Sequence, residues 1–208
     1  MNIKSLLFIL LCSYSFSQEN ILNLNKAEES KFVLDGILSE QELENSVELE
    51  ILYEHEPGYN ITPEYKTTGY LIYTDTFLYV GFKAYRDEVI ASIHPRDNRS
   101  LFEDDFANIH FDTYGDARNN IGLTSNLYGS QADGVRVEAT AYSGQNSGWS
   151  LDSNFDFKSL GRYTDFGYEV EFIIPFSEIP FPNGKDQRWK INLSLSLIHI
   201  SEPTRRPK

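Results

Sequence analysis

The chain has 208 residues, 14% of them aromatic, including 13 Tyr and 14 Phe, which is enough bulk to fill the core of one domain. Its net charge is −13, and setting aside Lys4 and the tail cations Arg205, Arg206 and Lys208 leaves residues 18–194 more acidic still. That charge repels nucleic acid and anionic membrane surfaces, so neither is expected as a partner; a neutral ligand or a cation suits it better. A solvated acidic surface that keeps an exported protein soluble accounts for the same charge.

The N-terminal stretch MNIKSLLFILLCSYSFSQEN reads as a secretory signal. Lys4 supplies the charged start, and Leu6 to Cys12 form an apolar run too short to cross a bilayer. Ser15-Phe16-Ser17 place small residues at cleavage spacing, so residues 1–17 are expected to be removed. The product would go to the periplasm, the outer membrane or the extracellular space. Cys12 is the only cysteine, and Leu11 before it is too large for a good lipoprotein signal. The mature chain then holds no cysteine and depends on its core rather than on disulfides.

Residues 18–30 read as a linker and 31–194 as a single domain. Phe32, Val33 and Leu34 suggest a short strand that runs into an Asp35-Gly36 turn. Ser39 and Glu42 stand at capping-box spacing and predict one short helix near the N-terminus. From there the pattern alternates. YKTTGYLIYTD and FLYVGFKAY flank Thr74-Asp75-Thr76 as a hairpin, with Leu78, Val80, Phe82 and Ala84 on one face of the second strand. In DDFANIHFDT, Ala107, Ile109 and Phe111 point one way and Asn108, His110 and Asp112 the other. GYEVEFIIPF sets Val170, Phe172 and Ile174 against Glu169 and Glu171, and RWKINL puts Trp189, Ile191 and Leu193 on one face. Pro175 ends its strand, and Ser177–Ile179 read as one helical turn. Short strands, polar Gly/Asn/Asp/Ser turns and almost no helix predict an all-β fold. We expect an antiparallel β-sandwich of immunoglobulin-like or jelly-roll-like type.

The segments LDG, LYVGF, DDFANIHFDTYGDAR, QADG and IPFSEIPFP occur in an order that resembles family 9 carbohydrate-binding-module-like domains, over about residues 31–193. The resemblance implies a β-sandwich, sugar binding and a link to polysaccharide breakdown. It also implies a place at the N-terminus of a large exported bacterial protein whose following region is an outer-membrane barrel. We therefore expect a non-catalytic, polysaccharide-associated binding module from a larger cell-envelope protein, with an oligo- or polysaccharide and the remaining C-terminal region as partners. Two alternatives stay open: part of a membrane-associated hydrolase acting on O-glycosyl bonds in carbohydrate catabolism, or an interaction module that has lost sugar binding.

Sugar recognition rests on aromatic faces that stack on the C–H-rich face of a pyranose, with amides and carboxylates on the hydroxyls. The ligand-binding candidates are Trp149, Tyr114, Tyr128 and Tyr142, in or near loops, with Asn108 and His110 on the outward strand face. Trp149 also has a structural reading, because the resemblance places a Trp-to-Asp segment there. Trp189 alternates with Ile191 and Leu193 and reads as core. Glu103, Asp104, Asp105 and Asp112 cluster at the two ends of one strand. Calcium takes several oxygen ligands, and family 9 modules carry structural calcium, so these four are the candidate ligands of a structural calcium. Their spacing fits no DxDxDG loop, and the reading as solvated or structural strand-end acids is preferred to a calcium site. No other cofactor is expected.

Catalytic signatures are missing. A glycosidase needs two carboxylates about 5–10 Å apart, yet Asp104 and Asp112 lie about 26 Å apart along an extended strand. Asp104 and Asp105 point to opposite faces; Glu169 or Glu171 would have to serve from another strand. His55, His94, His110 and His199 are scattered, with no HExxH, GxSxG or phosphate loop. Met1 is the only methionine, so its loss with the signal removes any Met/His haem site. Finally, residues 195–205, LSLIHISEPTR, resemble a translated sequencing adapter. Residues 195–208 are therefore expected to be an artefactual tail, and His199, Arg205 and Arg206 receive no functional weight.

Overall fold

The computed structural model describes residues 21–54, 60–116, 118–137, 149–184 and 186–196. Strands hold 44% of the described residues and helices 8%, so the all-β expectation stands. The strands are β1 (Val47–Glu50), β2 (Thr67–Tyr73), β3 (Phe77–Tyr85), β4 (Phe106–Asp112), β5 (Asn119–Asn126), β6 (Gln131–Val137), β7 (Trp149–Ser150), β8 (Lys158–Thr164), β9 (Gly167–Pro175) and β10 (Lys190–Ser196). They form two antiparallel sheets, ordered β1-β2-β3-β9-β8 and β10-β4-β5-β6-β7. Because β9 inserts beside β3 and β10 beside β4, each sheet joins early and late parts of the chain.

The alternation read from the sequence sets the core. Leu78, Val80, Phe82 and Ala84 of β3 and Val170, Phe172 and Ile174 of β9 pack against Ala107, Ile109 and Phe111 of β4 and Ile121 and Leu123 of β5. The hairpin at 74–76 is present: Thr74 Oγ1 accepts from the backbone N–H groups of Thr76 and Phe77 at 3.2 and 3.1 Å. Trp189, Ile191 and Leu193 pack against this core as expected. The β10–β4 ladder runs past the boundary expected at 194, pairing Leu195 with Ala107 and Ser196 with Phe106.

The short helix is α1 (Glu40–Leu43), and its capping box is complete: Ser39 Oγ accepts from Glu42 N–H, and the Glu42 carboxylate accepts from Ser39 N–H. Two single 3₁₀ turns, Glu29–Lys31 and Arg99–Glu103, carried no helical signal in the sequence. Phe32–Leu34 form no ladder and Ser177–Ile179 form a turn rather than a helix. Phe32 instead packs on Tyr79, with ring centroids 4.6 Å apart. The expected linker is partly docked: Ala27 N–H donates to Tyr73 C=O at 2.8 Å, and Leu24 packs against the core.

The N-terminal segment covers the outer face of the first sheet. Leu38, Ile72 and Tyr79 form a second buried cluster there. A Cβ on Gly81 would sit 2.5 Å from Leu38 Cδ2, so β3 carries a glycine where Leu38 presses on it. Asp35-Gly36 is the expected turn, with Gly36 at φ +84°. On the outer face of the second sheet Trp149 stands over Gly122, Leu151 stands over Gly134, and the candidate site lies there.

Candidate functional site: a polar groove on the second sheet

Strand register places the outward side chains of the second sheet in rows. Gly122 pairs with both His110 and Gly134, and Thr124 pairs with Asn108 and Ala132. Arg136 pairs with Trp149 across β6 and β7. With successive rows about 7 Å apart along the strands, these residues floor a groove. Arg136 and Trp149 stand at one end; Phe102 and Arg99, on the 3₁₀ turn before β4, stand at the other. The groove encloses about 350 Å³, within the usual range for small-molecule sites.

Trp149 crosses the neighbouring strand instead of standing away from it. A Cβ built on Gly122 would meet Trp149 Cζ3 at 2.9 Å, so the indole lies down over that glycine. Its plane meets the His110 ring edge-on, with centroids 4.9 Å apart at 80°. The absence of a Cβ at Gly122 makes room for the ring, and its absence at Gly134 makes room for Ser150 C=O and Leu151.

The polar groups of the floor are linked. Thr124 O–H donates to Asn108 Oδ1 at 3.3 Å, and Asn108 Nδ2 donates to His110 Nε2 at 2.6 Å. Burial, and then the charge of Arg136, hold the His110 imidazole below its ordinary pKa. His110 is thus neutral at pH 7, with Nε2 accepting and its proton on Nδ1. The floor offers neutral donors and acceptors beside an aromatic plate, an arrangement suited to binding hydroxyl-rich ligands without chemistry on them.

The structure gathers Trp149, Asn108 and His110 in one groove. Tyr114 and Tyr128 lie elsewhere. Tyr114 is 53% exposed in the turn after β4, and Tyr128 sits in the β5–β6 turn with its ring 6.4 Å from that of Tyr163. Tyr142 lies outside the described residues, as do His55, His199, residues 1–20 and residues 197–208. Sequence reasoning missed Arg99, Phe102, Gly122, Thr124, Gly134 and Leu151, which also line the groove. The glycines inside NNIGLTSN and QADG were the available signal, since a glycine in a strand interior marks close approach by something else.

Three of the four candidate metal ligands make hydrogen bonds within the fold. Asp104 is buried, and its Oδ2 accepts from Ser92 N–H, His94 Nε2 and Asn126 Nδ2 at 3.0, 2.9 and 2.7 Å. Asp105 accepts from Ile90 N–H at 3.1 Å and faces Arg86 Nε at 3.6 Å. Asp112 Oδ1 accepts from Gly115 N–H at 2.7 Å, and Glu103 is exposed at the end of the 3₁₀ turn. Among the described residues, no three His, Cys, Asp or Glu side chains are placed to hold one metal ion.

The carboxylates of β9 are also engaged. Glu171 accepts from Tyr79 O–H at 2.7 Å and from the backbone N–H groups of Asp35 and Gly36; Glu169 accepts from Leu38 N–H at 3.0 Å and pairs with Lys83 at 3.1 Å. Burial pushes Glu171 up to about 7, against the pull of those donors. Asp133, at the groove's edge, is turned to Arg96 at 2.5 Å and to Phe155 N–H at 2.9 Å.

No family model matches the chain, and no curated protein does. Solved structures with the same fold are found. One is a family 9 carbohydrate-binding module from Caldicellulosiruptor kristjanssonii, solved in complex with cellotriose. It is 18% identical, covers 82% of this chain and 74% of its own, and has a TM-score of 0.52. Another is a candidate carbohydrate-binding protein from Bacteroides uniformis, 12% identical over 72% of this chain and 71% of its own, with a TM-score of 0.56. At these identities the likeness establishes the fold: a two-sheet sandwich of the type found in family 9 binding modules.

Proposed function

We propose that this domain binds a saccharide, without catalysis, in the groove on the outer face of the second sheet. The observation that carries this reading is the indole of Trp149 lying over Gly122 beside the linked Thr124–Asn108–His110 amide, hydroxyl and imidazole groups. An aromatic plate takes the apolar face of a pyranose, and neutral donors and acceptors exchange hydrogen bonds with its hydroxyls. The shared fold with a module solved on cellotriose supports the ligand class. The engagement of Asp104, Asp105, Glu169 and Glu171 in structural hydrogen bonds supports a binding rather than a hydrolytic role.

The test is a glycan array followed by titration calorimetry on the hits, with the native chain and with Trp149→Ala. We expect micromolar to millimolar binding that Trp149→Ala weakens at least tenfold. Absence of binding to any saccharide, with and without calcium, would refute the proposal; release of reducing ends would favour the hydrolase alternative.

The wider setting belongs to the same proposal. The signal-like residues 1–17 support export, and the ordered motif set supports a module that serves a larger envelope protein. Sequencing the N-terminus of the exported chain checks the first; Gln18 is the expected first residue.

A further inference from the structure

We infer that the preferred ligand of this groove is an acidic saccharide, one whose sugar units carry carboxylate groups, held by Arg136 at one end and Arg99 at the other. The inference rests on the proposed saccharide site and specifies its ligand class.

Charge placement carries it. The chain as a whole is at −13, yet of the two charged residues that line the groove Arg99 is exposed and Asp133 is buried on Arg96, and just beyond the lining the next row of β6 sets Arg136 beside Trp149. Arg99 lines the groove at the Phe102 end, and Arg136 stands opposite Trp149 in the β6–β7 pair. Both are exposed, and neither makes an ion pair with a carboxylate among the described residues. The other arginines of this region are spent: Arg96 is fixed on Asp133, and Arg86 faces Asp105. Of the nearby acids, Asp133 is engaged on Arg96 and Phe155 N–H and Asp112 on Gly115 N–H, while Glu103, on the same 3₁₀ turn as Arg99, is exposed.

A guanidinium fork matches a carboxylate with two parallel hydrogen bonds, which gives it geometric selectivity that a lone charge lacks. Arg136 beside Trp149 puts such a fork next to the stacking plate. A pyranose lying on the indole directs the substituents of its ring edge sideways, where a C5 carboxylate meets the guanidinium and a neutral hydroxymethyl leaves it unpaired. The neutral His110 between the two ends adds no charge to repel or attract, so the two arginines decide the preference. The acidic remainder of the surface does not override them, because charges beyond about 10 Å are largely screened at 0.1 M salt.

The experiment compares trigalacturonate with a neutral trisaccharide series (cellotriose, mannotriose, galactotriose) by titration calorimetry at 0.1 M salt. The native chain, Arg136→Gln, Arg99→Gln and Arg136→Lys are titrated in parallel, with circular dichroism to confirm folding. We expect the native chain to favour trigalacturonate at least tenfold over every neutral sugar. Arg136→Gln should cut that preference about tenfold and Arg99→Gln several-fold, with Arg136→Lys intermediate because it keeps charge and loses the fork. Binding of neutral sugars with no preference for the uronate, or a preference that survives both Arg→Gln changes, overturns the acidic-ligand inference and leaves the saccharide proposal standing. Binding of neither class overturns both.

Discussion

The two sheets present outer faces built from the same alternation, and one is closed while the other is open. On the first sheet, β3 and β9 direct Tyr79, Gly81, Glu169 and Glu171 outward, and residues 31–44 lie over them. Tyr79, Glu169 and Glu171 are each at most 3% exposed as a result. On the second, β4, β5 and β6 direct Asn108, His110, Gly122, Thr124 and Gly134 outward, with the indole of Trp149 over Gly122 and Leu151 against Gly134. Both faces use a glycine to admit a neighbour: Gly81 receives Leu38, and Gly122 receives Trp149. The difference lies in what happens to the polar groups. On the closed face the carboxylates accept backbone N–H groups of the covering segment, so they fasten the chain to itself. On the open face the amide, hydroxyl and imidazole bond mainly to one another and keep capacity for a ligand.

Four perturbations test that division, and the largest effect belongs to the closed face. Leu38→Ala empties the contact with Gly81, Ile72 and Tyr79 and should cost about 2–4 kcal/mol in urea unfolding, with saccharide affinity unchanged. Loss of affinity on that change would mean the two faces are coupled. Second comes the pH dependence of the same face. Glu171 sits at about 7 when folded against an ordinary 4.5. Between those values the folded chain holds a proton that the unfolded chain releases. Its contribution is therefore fully present below about 4.5 and is lost as pH rises to about 7, a change on the order of 3 kcal/mol. Glu171→Gln removes that slope. The difference in urea midpoint between native and Glu171→Gln chains, followed from pH 4 to 8, should shrink in the native chain's disfavour as pH rises; a flat difference contradicts the assignment.

On the open face the pattern should reverse. Trp149→Ala should weaken saccharide binding tenfold to a hundredfold, about 1.4–2.8 kcal/mol, while unfolding free energy falls by less than the Leu38→Ala change. The smallest effect is expected from Gly122→Ala. The new Cβ would stand 2.9 Å from Trp149 Cζ3, so the indole must lift. Tryptophan fluorescence should shift and affinity fall several-fold, with stability changed by under about 1 kcal/mol. Unchanged fluorescence would show that the ring does not rest on that glycine.

The sandwich was legible in the sequence because period-2 alternation records which side of a strand is buried. Ala107, Ile109 and Phe111, and likewise Val170, Phe172 and Ile174, took the places their spacing implied. Alternation tells in from out, but it does not tell water from a covering segment. Glu169 and Glu171 looked like solvent-facing residues and are buried, because their cover comes from a segment more than a hundred residues away in sequence. The site was half legible for a related reason. Trp149, Asn108 and His110 were named from residue chemistry and strand face. Their meeting depends on register between β4, β5, β6 and β7, which no local pattern encodes, so Arg99, Phe102 and Thr124 went unnoticed. The acids at the two ends of β4 were named from spacing alone, and the fold turns three of them to separate donors: Asp104 to His94 and Asn126, Asp105 to Ile90 and Asp112 to Gly115.

The most direct measurement is an amide and indole chemical-shift titration of the isotope-labelled chain with trigalacturonate and with cellotriose. Saccharide binding on the open face predicts perturbations concentrated at Asn108, His110, Gly122, Thr124, Gly134 and the Trp149 indole N–H, with Leu38, Tyr79 and Glu171 silent. Perturbations concentrated on the covered face or around Tyr128 and Tyr163, or none with either sugar, would contradict it.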